Sequence, residues 1–562
     1  MRTVYATLGL VFVLLMLNFG NGVNSDAWFL LNHGRYVASF GIPHVEPFTL
    51  HEGFHFVMQQ WLFAWLLWQI YVHAGSWGLV AFSWAAGAAI LFAYCRLQIL
   101  VSAGNRKLAC LLTGLFGLPI CLLFASQRPQ VASALIFLAE IYLFERYRAR
   151  PTRTLPLVFF ALSALLVNLH AAMWPMMLVF LLPYLAETLF GGRFSWCEQT
   201  FLWSPRQLLV LLAAVFLGGF CGPYGSEAMV YTLHSYGYAE INQHVQEMYP
   251  LALHMSLLGI CLLSMFVLTA VYARRKMPLR YLLLAVGTGL MALMAVRSVF
   301  LYLLFGTLPL GYVFRDWQEK QGSVKWRQAC GQMLLLAVLI LFVDGILLYM
   351  SPALEEPRRT LLYAALPLLL VAVLLAVRDF RRRRCDTLRL EEGRRRLLLA
   401  LLALFTLPLC ICFTRPPDAV PLSLARSADV LGTLGPAEDM RLYTEYVYGN
   451  YFEFRGYRCY IDARAEVFLP ALNHQKNVLK EWEDVCSGRI DYHALQQRYH
   501  FTHFAVTEGD VLYTYLAFNP DYALVWDSEA DDAIPEDMKK AEKKLRIYAY
   551  RPAENSSAAP RD

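Results

Sequence analysis

Apolar segments recur along the first three quarters of the chain. Runs able to cross about 30 Å of hydrocarbon occur at 4–20, 60–74, 77–97, 108–126, 130–146, 155–170, 173–190, 207–222, 253–273, 280–296, 298–314, 328–350, 360–377 and 397–413. A chain with so many such runs cannot gather them around one water-excluded core, so most of it has to be dissolved in lipid. A signal peptide does not account for the pattern, because apolar stretches continue to Phe413. With 58% hydrophobic residues, 16% charged ones and a mean hydropathy of +0.42, the composition agrees. Residues 1–414 therefore read as a membrane domain and 415–552 as a soluble domain. The tail 553–562, AENSSAAPRD, reads as disordered.

Basic residues orient the chain. With Arg2, the loops at 96–107, 146–153, 191–206, 274–280, 315–327 and 378–396 hold 27 Lys and Arg. The opposite loops hold five: Arg35, Arg128, Arg297, Arg358 and Arg359. That bias places the N-terminus in the cytoplasm and the loop 21–60 outside, and it explains the net charge of +6 without nucleic acid. Parity then conflicts with the run count, because two full crossings at 60–74 and 77–97 would put the basic loop 96–107 outside. The segment 60–74 spans only about 22 Å as a helix and has polar ends, Gln60 and His73. The expectation is a polytopic α-helical membrane protein of about 13 transmembrane helices in the cytoplasmic membrane, with a C-terminal mixed α/β soluble domain outside.

The first external loop, NGVNSDAWFLLNHGRYVASFGIPHVEPFTLHEGFHFVMQQ, is too polar to span and too aromatic to be a plain tether. It suits a site at the membrane surface, with Asp26 as its chemical centre. Asp26 has an alternative role as helix N-cap, since Ser25–Asp26 precedes the helical run 27–38. Arg128 in SQRPQ, His170 in VNLHAAM and Arg297 in MAVRSVF fall level with Asp26 in this topology. An arginine between apolar helices is costly unless paired or hydrated. Arg128 and Arg297 read either as interface or ion-pair residues or as an anion site, since a guanidinium fork holds two phosphate oxygens.

The order of these features resembles the GT-C superfamily of membrane glycosyltransferases, which includes protein O-mannosyltransferases and lipid A aminoarabinose transferases. The resemblance is carried by SDAWFLLNHGRYVASFGIPHVEPFT, QQWLFAWLLWQIYVHAG, SQRPQ, NLHAAM, CGPYG and the late YGNYFEFRGYRCYIDARAEVF. It implies transfer of a sugar from a polyprenyl-phosphate donor to an envelope lipid, glycan or protein at the outer face of the membrane. Asp26 would be the base, Arg128 and Arg297 would hold the donor phosphate, and Glu46, His170 and Tyr224 would contact substrate. Many relatives carry two neighbouring acids, whereas Asp26 is followed by Ala27 and Trp28. No metal or other cofactor is therefore expected, and the lipid-linked sugar is the co-substrate.

Other residues read as structural. His33, His44, His51 and His55 fit no compact metal-ligand spacing and suit the polar lining of an acceptor cleft. Gly222–Gly225 reads as a turn. The segment 226–252, with Glu227, Glu240, His244 and Glu247, could cover the site but specifies no chemistry. Asp344 is an acid within an apolar run. In the soluble domain, strands are expected at 441–447, 457–461, 503–507, 522–526 and 545–550, with helices near 467–485 and 491–499. Asp462 and Arg464 could face the membrane site but read better as a local ion pair within the domain. Of twelve cysteines, Cys459 and Cys486 are the pair placed to form a disulfide in an oxidising compartment. Two rival functions remain at this stage: a lipid or glycan transporter, and a non-catalytic envelope-assembly protein. A transporter would be expected to show internal repeats and polar residues at the bilayer midplane, neither of which is found.

Overall fold

The computed structural model describes residues 9, 12, 23–195, 197–235, 246–248, 277–315 and 420–552. The expected spans at 253–273, 328–350, 360–377 and 397–413, Asp344, the tail 553–562 and most of 4–20 lie outside the described residues. Ten helices of the described membrane part bear on the site: α1 (Ser25–Phe40), α2 (Trp61–Val101), α3 (Arg106–Leu112), α4 (Leu118–Phe124), α5 (Gln130–Arg146), α6 (Leu155–His170), α7 (Pro175–Phe190), α8 (Pro205–Gly219), α9 (Ser226–Ser235) and α10 (Leu279–Met294). Among the described residues four helical stretches are long and apolar enough to cross a membrane: Trp61–Val101, Leu155–Met173, Pro175–Arg193 and Val296–Val313.

Helix α2 is broken at the place where the sequence reading doubted a full crossing. Unbroken, its 41 residues would extend about 60 Å, twice the hydrocarbon thickness. Gly75 interrupts it with φ 58° and ψ −156°, a conformation that costs glycine little and other residues much. The break leaves 61–74, about 21 Å long and too short to span, and 76–101, about 39 Å long. The short half packs instead on α1, which crosses it so closely that a Cβ on Gly34 would sit 2.2 Å from the Ala64 carbonyl oxygen.

At the side carrying the basic loops, Arg280 joins α5, α7 and α10. It is 1% exposed and donates from Nε and Nη2 to Glu145 at 2.8 and 3.0 Å and from Nη1 to Glu187 at 2.8 Å. It belongs to the basic loop 274–280, yet its charge is spent inside the bundle, where an unpaired ion would be prohibitive. Losing one of 27 basic residues leaves the bias intact.

Residues 420–552 fold around a five-stranded sheet: β1 (Arg441–Thr444), β2 (Arg458–Cys459), β3 (His503–Thr507), β4 (Tyr522–Asp527) and β5 (Leu545–Tyr550). The strand order is β2-β1-β3-β5-β4, with β2, β1 and β3 parallel and β5 antiparallel to both neighbours. Strands form at all five expected places. The long helix expected over 467–485 is instead three short pieces, Ala465–Phe468, Pro470–Asn473 and Val478–Cys486. Pro470 starts the second, and His474 in the left-handed region ends it. Cys459 and Cys486 are both free thiols. One lies against the Gly449 carbonyl oxygen and the other against the Tyr443 hydroxyl, each at 3.7 Å, so the disulfide does not form.

The first external loop docks on this sheet. Thr49 bridges Cys459 in parallel and Leu50 donates its N–H to the Cys459 carbonyl at 2.9 Å, so the loop covers the open edge of β2. The late motif supplies a second contact through α11 (Gly449–Phe454). Trp28 of α1 lies edge-on to Tyr451 and tilted on Phe454, with centroids 5.2 and 5.0 Å away. Each such aromatic pair adds about 0.5–1.5 kcal/mol beyond its buried area.

Candidate active site

Helix α1 begins two residues earlier than the sequence suggests. Its N-cap is Asn24, whose side chain accepts from the Asp26 N–H at 2.9 Å. Asp26 is thus in the first turn, and its carboxylate is not needed as a cap. Two distant residues fix this start. The Gln127 side-chain oxygen accepts from the Asn24 N–H at 3.0 Å, and the Asn450 side chain donates to the Ser25 carbonyl at 3.4 Å. Gln127 is itself held by Ser83 Oγ at 2.9 Å and the Leu79 carbonyl at 3.3 Å. The SQRPQ loop therefore grips the N-terminus of α1 with one residue and faces its acid with the next.

That next residue is Arg128. Its Nε lies 3.1 Å from Asp26 Oδ2, while Nη1 and Nη2 grip the Glu247 carboxylate, the second contact at 3.2 Å. Both side chains of the Asp26–Arg128 pair are about one quarter exposed. Burial raises the Asp26 carboxyl above its ordinary range, with Arg128 opposing the shift and Glu247 adding to it. A carboxyl poised upward in this way is a better base than a free aspartate.

Arg297 lies in the turn Val296–Ser298, within electrostatic reach of Asp26 and His170. Among the described residues it forms no ion pair, its Nη1 approaching Met248 Sδ at 3.9 Å. His170, the last residue of α6, is buried with Nδ1 2.7 Å from Ser133 Oγ. The structure thus brings Asp26, Arg128, Arg297 and His170 to one place.

Glu46 and Tyr224 are used differently from the substrate contacts expected of them. The Glu46 carboxylate accepts from the N–H groups of Phe48 and Thr49, from Thr49 Oγ1 and from Arg464 Nη2 at 2.7–3.2 Å. It has no exposed side-chain surface. Tyr224 donates to the Pro43 carbonyl at 2.7 Å and stands edge-on to His44. Both residues shape the loop rather than face a cleft.

The loop histidines act likewise. His51 is buried and donates from Nε2 to the Tyr460 carbonyl at 2.8 Å. His55 stacks on His474 and meets Glu227 at 3.1 Å. Among the described residues no three His, Cys, Asp or Glu side chains converge as a metal site would require.

Arg464 is the hub that sequence reading sees only in part. It pairs with Asp462 at 2.9 Å, as expected, but also with Glu46 at 2.9 Å and Glu453 at 3.5 Å. Its Nη1 donates to His33 Nε2 at 3.1 Å. His33 is thereby the acceptor, and burial followed by the Arg464 charge keeps it neutral, well below its ordinary pKa. Burial, with Asp462 beside it, lifts the Glu453 carboxyl well above its range, which relieves the excess of acids over one guanidinium. Arg464 is 5% exposed, so this network binds the soluble domain to α1 and its loop away from water.

No family model matches the sequence, and no curated protein matches it. Solved structures do. Similar folds are seen in ArnT from Cupriavidus metallidurans bound to undecaprenyl phosphate, with TM-score 0.55 and 12% identity, covering 100% of this chain and 99% of that one. The same protein in the apo state gives a TM-score of 0.53 at 12% identity, covering 97% and 96%. The Archaeoglobus fulgidus oligosaccharyltransferase tethered with an acceptor peptide gives 0.50 at 11% identity, covering 90% of this chain and 69% of that one. The chain shares its overall fold with these two transferases, the fold that the resemblance in its loop and late motif implied.

Proposed function

We propose that this chain is an inverting glycosyltransferase that moves a sugar from a polyprenyl-phosphate carrier to an envelope lipid, glycan or protein. The reaction would take place at the outer face of a bacterial cytoplasmic membrane. The observation that carries the reading is the Asp26 carboxylate set on the Arg128 guanidinium at 3.1 Å, with Arg297 nearby and without an ion-pair partner among the described residues. A transfer of this kind needs a base for the acceptor and positive charge for the leaving phosphate, and the two lie side by side.

In this mechanism an acceptor hydroxyl enters beside Asp26, which takes its proton. The acceptor oxygen bonds to the anomeric carbon from the face opposite the phosphate. The bond from that carbon to the phosphate oxygen breaks, the electron pair leaves with the lipid phosphate, and configuration inverts. Arg128 and Arg297 offset the charge gathering on the departing oxygens. His170 would help shape the cleft, and Glu46 and Tyr224 would act through the loop they hold. The soluble domain would position α1 and admit the acceptor. The fold shared with ArnT bound to undecaprenyl phosphate and with an acceptor-bound oligosaccharyltransferase supports both the carrier and the acceptor.

Mass spectrometry of lipid-linked sugars and envelope glycans from cells with and without the protein tests the reading. A lipid-linked sugar should accumulate, and one glycan decoration disappear, when the protein is missing. Unchanged profiles would remove it. Metal independence belongs to the same proposal, and transfer should survive chelation. For sidedness, single cysteines at Ser25 and Glu529, both exposed, should label in intact cells with an impermeant thiol reagent. One at Thr152 should not.

A further inference from the structure

Every nitrogen of the Arg128 guanidinium already faces a carboxylate. Its Nε faces Asp26, and its two terminal nitrogens grip both oxygens of Glu247. That two-pronged edge is the one a guanidinium offers to phosphate, so a donor phosphate and the Glu247 carboxylate compete for the same atoms. Burial raises the Glu247 carboxyl, yet Arg128 more than offsets this and keeps it ionised. Asp26 and Glu247 stand against Arg128 and Arg297, with Glu466 also within electrostatic reach of Arg128. A sugar phosphodiester carries one negative charge, the same as Glu247, so exchanging one for the other leaves the net charge of the site unchanged.

Resting on the reading of Arg128 as a donor-phosphate residue, we propose that Glu247 is an internal stand-in for that phosphate. Its carboxylate closes the Arg128 fork in the resting protein and is displaced when a lipid phosphate binds. The exchange requires only that one side chain leave a guanidinium, and it keeps the arginine satisfied between turnovers. It also sets a preference, since a diphosphate carrier would bring an extra negative charge that the departing carboxylate does not match. If Glu247 holds the fork in about nine molecules of ten, apparent affinity for the phosphate is lowered about tenfold.

The test is binding of undecaprenyl methyl phosphate, a phosphodiester with one negative charge, to the full-length protein in detergent, for the native chain and for Glu247→Gln, Arg128→Ala, their double variant and Glu227→Gln. Glu227 is an exposed acid of α9 bonded to His55 rather than to Arg128, so it controls for general loss of negative charge. Glu247→Gln should bind about tenfold more tightly, Glu227→Gln as the native chain does, and Arg128→Ala more weakly. The double variant should lose the gain.

Arg128→Ala weakened with Glu247→Gln unchanged or weaker overturns the stand-in but leaves the donor site in place. Binding unchanged in Arg128→Ala overturns the donor site itself. Should Glu247→Gln fail to fold, Glu247→Asp keeps the charge but is too short to span the fork. Tighter binding by that variant supports the proposal, and unchanged binding overturns it.

Discussion

Asp26 and Asn24 make a paired experiment in which stability and activity should move in opposite ways. The structure gives the cap to Asn24 and the ion pair to Asp26. Asp26→Asn keeps the side-chain shape and still offers an oxygen to Arg128 Nε. It gives up an ion pair about one quarter exposed, worth roughly 0–1 kcal/mol. Its thermal midpoint in detergent should therefore stay near that of the native protein. Removing a general base costs about 10²–10⁴-fold in rate, or roughly 2.7–5.4 kcal/mol of barrier, so transfer should fall to background. Asn24→Ala removes the cap, at about 1 kcal/mol, while leaving a carboxylate beside Arg128. It should lower the midpoint slightly and keep most of the transfer. Asp26→Glu, which moves the carboxylate by about one bond length, should lose about 10- to 100-fold. The assay is sugar transfer from a polyprenyl-phosphate donor in membranes, read beside the melting curve of each purified variant. An Asp26→Asn protein within tenfold of native transfer ends the case for Asp26 as base.

At the phosphate side, Arg128→Ala and Arg297→Ala should each weaken donor use without loss of membrane insertion, and Lys should restore only part, because an ammonium lacks the fork; equal turnover in both Ala variants would contradict this. Arg464→Met should be the most destabilising single change in the soluble domain, about 3–5 kcal/mol for carboxylates left without their cation, seen as a lower midpoint and protease-sensitive release of the first loop. Asp510 offers a pH test. Burial raises its carboxyl to about 6, so its contribution to stability is complete below the unfolded value near 3.8 and is lost as pH rises through 6. Asp510→Asn should then be more stable than the native protein at pH 7, by up to about 3 kcal/mol, and show no advantage at pH 4.

The strands of the soluble domain are legible because β-rich runs such as HFAVT and LRIYAY are bounded by turn residues and pair within the domain. The Asp26–Arg128 pairing is legible only as a shared level in the membrane, set by charge bias and helix length. What escapes the sequence depends on partners far along the chain. Asn24, Ser25 and Asp26 can each cap a helix, and local preference does not choose among them. Gln127 and Asn450 choose, from about a hundred and more than four hundred residues away. Glu46 looks like a spare loop acid until Arg464, 418 positions later, takes its last lone pairs. Glu247 shows no motif at all. It gains its chemistry only by standing opposite the fork of Arg128.

These long separations bear on what residues 420–552 do for α1. The loop 21–60 buries its own apolar residues, among them Leu30, Leu31, Phe54 and Phe56, partly against residues 420–552 rather than within itself alone. Its aromatic and ionic anchors are Tyr451, Phe454, Asn450 and Arg464, all from the late motif. A group that must take a proton loses rate steeply when misplaced by even an ångström. At Gly449 the domain backbone approaches so closely that a Cβ would lie 2.1 Å from the Ile461 carbonyl oxygen, which holds the Asn450 amide where it meets Ser25. If Asp26 is the proposed base, residues 420–552 form one half of its mounting through Asn450, and Gln127 forms the other. Asp26 is positioned only when both halves grip the same helix end.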